Sequence, residues 1–181
     1  MTNRESGPQR IQGAIFIMSL ALSLTMFAAH AGLGWAASGV EANPWNASQV
    51  VEPAELAKAV SNESGEKPAV VCVGFDFLFR GAHIPGAAYA GPARDAKGLD
   101  ALKKWASSIP RDHEVILYCG CCPLHQCPNV RPAFKALAGM GFKNVKVLYL
   151  PDNFQKDWVA KGYPVVKKGP DPVRCGGGHT L

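Results

Sequence analysis

The chain has 181 residues, 48% of them hydrophobic and 18% charged, with a formal net charge of +5. This length suits one domain plus ends, and such a domain buries a proper core without needing staples. The positive balance is mild and spread out, with short pairs such as Lys103-Lys104 and Lys167-Lys168 instead of a basic stripe. That speaks against nucleic acid as a partner and supports, at most, attraction of small anions.

Residues 1–31 have the form of a secretory signal peptide: a positive start at Arg4 and Arg10, an apolar run from Ile15 to Ala29, and the small-x-small site Ala29-His30-Ala31. Ala36-Ala37-Ser38 is a second cleavage site, so the mature chain is expected to begin at Gly32 or near Gly39. The competing reading is an uncleaved anchor, because Ile15 to Ala31 approaches the length of a membrane span. Cleavage predicts a periplasmic or secreted protein with no membrane attachment afterwards. Export also makes disulfides permissible, and all six cysteines lie beyond residue 31.

Residues 32–47 are polar and small and are expected to be a linker. A domain is expected over 48–166. Within it, Pro53 to Ser61 begins with a proline suited to a first helical turn. Ala69-Val70-Val71-Cys72-Val73 is a continuous apolar run, as in a strand covered on both faces, which makes Cys72 a packed core thiol. Leu99, Leu102, Trp105, Ala106 and Ile109 share one helical face. Val115 to Tyr118 reads as a buried strand and Asn129 to Met140 as a helix, with Asn129 as its N-cap and Pro132 in its first turn. Gly139 and Gly141 close that helix, Val145 to Tyr149 is a third strand, and Phe154 to Lys161 a last short helix. Strands alternating with helices predict a single α/β domain with a mostly parallel sheet flanked by helices. Residues 167–181 are Gly- and Pro-rich and are expected to be a flexible tail; Cys175 and His179 lie in it.

Between the second of these strands and the helix behind it, four cysteines crowd into Cys119-Gly120-Cys121-Cys122-Pro123-Leu124-His125-Gln126-Cys127. Ligands of parallel sheets bind beyond the carboxyl ends of strands, and Cys119 sits at such an end. A helix N-terminus stabilises an anion, so this arrangement predicts a lowered thiol pKa. Reactive thiols, a pair of disulfides and a metal staple all remain open from spacing alone.

Several phrases then resemble one family. Arg80-Gly81-Ala82-His83-Ile84-Pro85-Gly86-Ala87 is similar to the Gly-His-Ile-Pro-Gly-Ala of rhodanese domains, and Leu117-Tyr118-Cys119 to the strand ending in their catalytic cysteine. Gly141-Phe142-Lys143-Asn144-Val145 resembles their Gly-Phe-x-Asn-Val, and Trp158, Gly162, Tyr163 and Pro164 resemble their closing Trp-x-x-x-Gly-Tyr-Pro. The phrases stand in the family's order across about Val51 to Val165. The resemblance implies a rhodanese-like fold and a sulfurtransferase. In it Cys119 takes sulfane sulfur as a persulfide from a small donor and passes it to a thiol or cyanide-like acceptor, with no cofactor. Three departures qualify this. Cys72-Val73-Gly74 stands where the family has Asp-Val-Arg, and Pro151-Asp152 replaces a Gly-Gly. The loop is about five residues longer than usual, with Leu124 where an arginine or similar group holds an anionic donor. Thiosulfate is therefore expected to be held weakly.

Around the nucleophile, Cys121, Cys122 and Cys127 are candidates to resolve the persulfide or to act as redox thiols. His125, Arg131, Arg80 and Asp76 are candidates to line a substrate pocket. His83 is expected to be structural. One alternative is a module in which Cys119, Cys121, Cys122, Cys127 and His125 hold copper(I) or zinc. A thiol–disulfide redox protein and a catalytically silent interaction domain are the others.

Overall fold

The computed structural model describes residues 42–167. The expected signal peptide, most of the linker and nearly all of the tail, with Cys175 and His179, lie outside the described residues.

Five strands form one parallel sheet: β1 (Val50–Val51), β2 (Ala69–Cys72), β4 (Ala88–Tyr89), β5 (Val115–Tyr118) and β6 (Val145–Leu148), in the order β1-β6-β5-β2-β4. Between β2 and β4 come α2 (Asp76–Gly81) and β3 (Ala82–His83), and β3 pairs antiparallel with β7 (Val166–Lys167). The fold class is thus α/β, as the alternating sequence pattern predicts.

β5 is central, and all four of its residues are buried. Its side chains alternate between two cores, as the period of two requires. Val115 and Leu117 face Leu102 of α3 (Ala96–Ala106) and Phe134 and Leu137 of α4 (Val130–Gly139). Ile116 and Tyr118 face Leu56 of α1 (Pro53–Ser61) and Trp158 in the turn Gln155–Val159. Trp158 is fully buried and its indole N–H donates to the Pro164 carbonyl at 2.8 Å, so the closing sequence phrase clips the segment around Pro164 onto the core. Both faces being covered explains why β2 and β5 read as unbroken apolar runs.

Four sequence expectations shift. The third helix begins at Ala96, three residues before the first residue of its apolar face. Trp45, placed in the linker by its neighbours' small polar character, is buried against Phe134 with ring centroids 5.6 Å apart. Lys167, assigned to the tail, pairs with Ala82 in the small antiparallel sheet. The expected last helix is one π-type turn, Gln155–Val159.

From β2 the chain moves to β4 on one side, and from β5 to β6 on the other. Neighbouring β2 and β5 therefore diverge at their carboxyl ends, which is where parallel sheets open a ligand crevice.

Candidate active site

Cys119 leaves the end of β5, and Cys72 ends β2 beside Tyr118 in register. The Val73 amide donates to the Tyr118 carbonyl at 2.8 Å, carrying the pairing one residue further. Gly74 then passes directly against Cys119: a Cβ there would collide with the Cys119 carbonyl oxygen and stand 3.0 Å from its sulfur. Gly120, with φ +84, turns the chain away, and its missing Cβ leaves room for Phe154.

The loop is anchored at two points. The Leu124 amide donates to the Leu150 carbonyl at 2.9 Å, and the Phe154 amide to the Gly120 carbonyl at 3.1 Å. Leu124 itself is buried and opens the 3-10 turn Leu124–Gln126. The extra loop length thus folds back on the core instead of projecting into solvent.

This winding gathers the sulfurs of Cys119, Cys121, Cys122 and Cys127 within 4.8 Å of one another. The Cys119–Cys121 and Cys121–Cys122 sulfur contacts are each 3.2 Å. All four thiols are free, Cys119 and Cys127 buried and the other two half-buried. Asn129 braces the cluster: its Nδ2 donates to Cys119 Sγ at 3.3 Å, while its Oδ1 accepts from the Arg94 amide at 3.0 Å. It is fully buried, helical in backbone, and makes no side-chain cap. Asn129 holds the N-cap position of α4 as expected, but its side chain does not cap, because the amide group is committed to the thiol and to Arg94.

The expected low thiol pKa is also corrected. For Cys119, the hydrogen bond from Cys121 favours the thiolate, but the contact with Cys127, burial and repulsion between sulfurs outweigh it, and the thiol is pushed up to about 12. Its bond to Cys119, with burial, likewise pushes Cys121 up to about 12. Crowding several ionisable sulfurs into a poorly solvated space disfavours charge more than one helix start favours it. Cys72 is buried, its thiol donating to the Cys119 carbonyl at 3.8 Å, and desolvation lifts it to about 11.

An open cavity of about 460 Å³ lies beside Cys119 and Cys121. Its walls are largely aromatic or aliphatic, including Phe77, Leu78, Phe79 and Phe154; Asn153, Gln155 and Lys167 add polarity. Phe77 is 69% exposed at the rim. Tyr118 also lines it, with a buried hydroxyl near the Cys72 thiol and the Ile84 backbone but in hydrogen-bond geometry with neither.

The charged pocket candidates lie elsewhere. Asp76 and Arg80 pair with each other at 2.7 Å, one helical turn apart on α2, and are not among the residues lining the cavity. Arg131 turns back to the loop and the domain start, donating to the His125 carbonyl at 2.9 Å and Asn43 Oδ1 at 2.8 Å, and stands over the Trp45 ring. His125 is exposed, its Nε2 accepting from Gln126 at 3.0 Å, and it is not part of the sulfur cluster. His83 is structural: Nδ1 donates to the Phe79 carbonyl at 2.9 Å and the two rings stack. Gly74, Asn129 and the Phe77–Phe79 wall were not assigned to the site from sequence. The alternation Phe75, Phe77, Phe79 was the visible signal for that wall, but α2 is too short to show helical periodicity.

A parallel α/β sheet with a thiol at the switch point defines the class of fold. No family model matches the chain, and no curated protein does. Among solved structures, the BH2092 protein of Bacillus halodurans is similar with a TM-score of 0.52 at 21% identity, over 67% of this chain and 78% of that one. The Alr3790 protein of Anabaena sp. is similar with a TM-score of 0.50 at 18% identity, over 65% and 82%. A solution structure of the rhodanese-like domain of Alr3790 covers 74% of this chain and 88% of its own, at 18% identity and TM-score 0.48. The chain has the rhodanese-like fold, with a cysteine-rich loop at the end of its central strand.

Proposed function

We propose that the protein is an exported sulfurtransferase that carries sulfane sulfur on Cys119. The observation supporting this most is the position of Cys119 at the end of β5, beside an open cavity and braced by Asn129. A Cys119 thiolate attacks the outer sulfur of a donor; the new S–S bond forms as the donor's own bond to that sulfur breaks, and the donor remainder leaves with the electron pair. An acceptor thiolate then attacks the outer sulfur of the persulfide and releases the Cys119 thiolate, with no net change in redox state. Because neutral thiols are favoured at rest, the Cys119 proton leaves as the S–S bond forms and is taken up by the departing donor remainder or by solvent in the open cavity. The aromatic cavity suits a thiol-bound, organic sulfane donor better than a small dianion, since among the described residues Lys167 is the single cation lining it. Export rests on residues 1–31 alone.

Intact-mass analysis of reduced protein after exposure to an organic persulfide or to thiosulfate tests this. One added sulfur on Cys119, lost on adding a thiol acceptor and absent in Cys119→Ser, is expected. Turnover retained by Cys119→Ser would overturn it. The 3.2 Å Cys119–Cys121 contact favours a second reading, a thiol–disulfide protein; that reading requires a disulfide that cycles with a reductant and no persulfide.

A further inference from the structure

We propose that Cys119, Cys121, Cys122 and Cys127 form a tetrathiolate site for a single zinc(II) ion. The four sulfurs lie within 4.8 Å of one another, as one ligand atom from each residue. Zinc–sulfur bonds of about 2.3 Å place tetrahedral sulfurs roughly 3.8 Å apart, so small side-chain rotations close the site. Four sulfurs and no histidine select a soft, tetrahedral ion over a hard one. His125 is turned to Gln126, and the site needs no fifth contributor.

The surroundings support thiolates once a dication is present. The Asn129 amide group donates to Cys119, the Cys121 backbone N–H favours the Cys119 thiolate, and the Asn129 and Val130 N–H groups favour the Cys127 thiolate. Arg131 stands behind the loop and donates to the Cys127 carbonyl at 3.4 Å. Such outer partners orient ligands and offset the negative charge of a four-thiolate complex. Binding converts four thiols to thiolates and releases four protons, with no change in oxidation state. All four positions come from protein, so the site is closed and structural or inhibitory in kind.

The test uses the full chain, reduced, stripped of metal and kept anaerobic, titrated with zinc alone against a chromophoric chelator. One zinc per chain in native mass spectrometry, with four protons released, is expected. Cobalt(II) in its place should show tetrahedral ligand-field bands and thiolate charge transfer. Cys122→Ser, at a half-buried position, should lower affinity by at least about 10–100-fold, the loss that even an outer-shell change causes. Cys72→Ala and Cys175→Ser should leave binding unchanged. Zinc should also protect the four loop cysteines of the unsubstituted chain from alkylation, a readout that does not depend on any variant folding. Absence of stoichiometric zinc, an octahedral cobalt spectrum, undiminished binding in Cys122→Ser, loss of binding in Cys175→Ser, or iron and sulfide in its place would each overturn the assignment.

Discussion

Gly74 lies flat against Cys119, close enough that a Cβ would collide with the Cys119 carbonyl oxygen. Gly74, two residues past the end of β2, thus forms one wall of the sulfur site by having no side chain. Rhodanese domains carry an arginine at this point of the resemblance, so the departure removes a charge and also lets two strand ends close together. Gly74→Ala should lower stability by about 1–3 kcal/mol, the usual result of overpacking. It should also displace the thiol, seen as a changed alkylation rate at Cys119 under reducing, metal-free conditions. Unchanged stability and unchanged alkylation would show that the strand ends have slack.

Leu124 occupies the position where the family's loop places an anion-holding group, and an arginine there looks like a way to improve thiosulfate use. The structure argues otherwise. Leu124 is buried in the core beside Cys127 and Val130 and does not line the cavity. Leu124→Arg should cost upward of about 2 kcal/mol by burying a charge, with no gain in thiosulfate turnover. Thermal unfolding and a donor-dependence assay together check this.

Phe77 stands at the rim of the cavity with most of its side chain exposed. Phe77→Ala should leave folding nearly unchanged and raise KM several-fold for an organic persulfide donor. It should have less effect on thiosulfate, which has no apolar group to bury. Equal effects on both donors would exclude this wall from donor binding.

Strands β2, β5 and β6, their parallel arrangement and the end position of Cys119 were legible because β2 and β5 are covered on both faces, leaving uninterrupted apolar runs. Helix α1 was equally plain from Pro53 at its start. What stayed hidden was long-range. Nothing local to Arg131 reveals that Asn43, 88 residues away, accepts its hydrogen bond. Asn129 has the look of a cap, and only the approach of Arg94 and Cys119 diverts it. The two-residue strands β1, β3, β4 and β7 are too short to carry alternation, so the chain from Gly74 to Ala90 was readable only as a family phrase.

Stability should fall on the alkaline side. Cys72 has an ordinary thiol value of 9.0 when exposed, and burial raises it to about 11 in the fold. Below 9.0 both states hold the proton and the contribution is intact. As pH rises toward about 11, the unfolded chain ionises first and stability is lost progressively. Denaturant midpoints of reduced, metal-free protein should decline across that window, and less steeply in Cys72→Ala compared with its own neutral value. A flat profile would place the Cys72 thiol in a more polar setting.

If the tetrathiolate site and the sulfur-transfer reading both hold, they compete for one atom. Zinc added to reduced protein should suppress persulfide formation at Cys119 stoichiometrically, and a chelator should restore it. Zinc bound with sulfur transfer undiminished would separate the two and leave the ion on the remaining cysteines.

The first amides of α4 face a sulfur instead of a capping oxygen, because Asn129 is turned toward Cys119. Backbone hydrogen exchange at Asn129 and Val130 therefore becomes a clock for the loop: at Cys127 a neutral thiol, a disulfide and a metal-bound thiolate each accept those N–H groups with different strength. The helix can record, in the rate at which its first turn frays, what has happened to a single side chain.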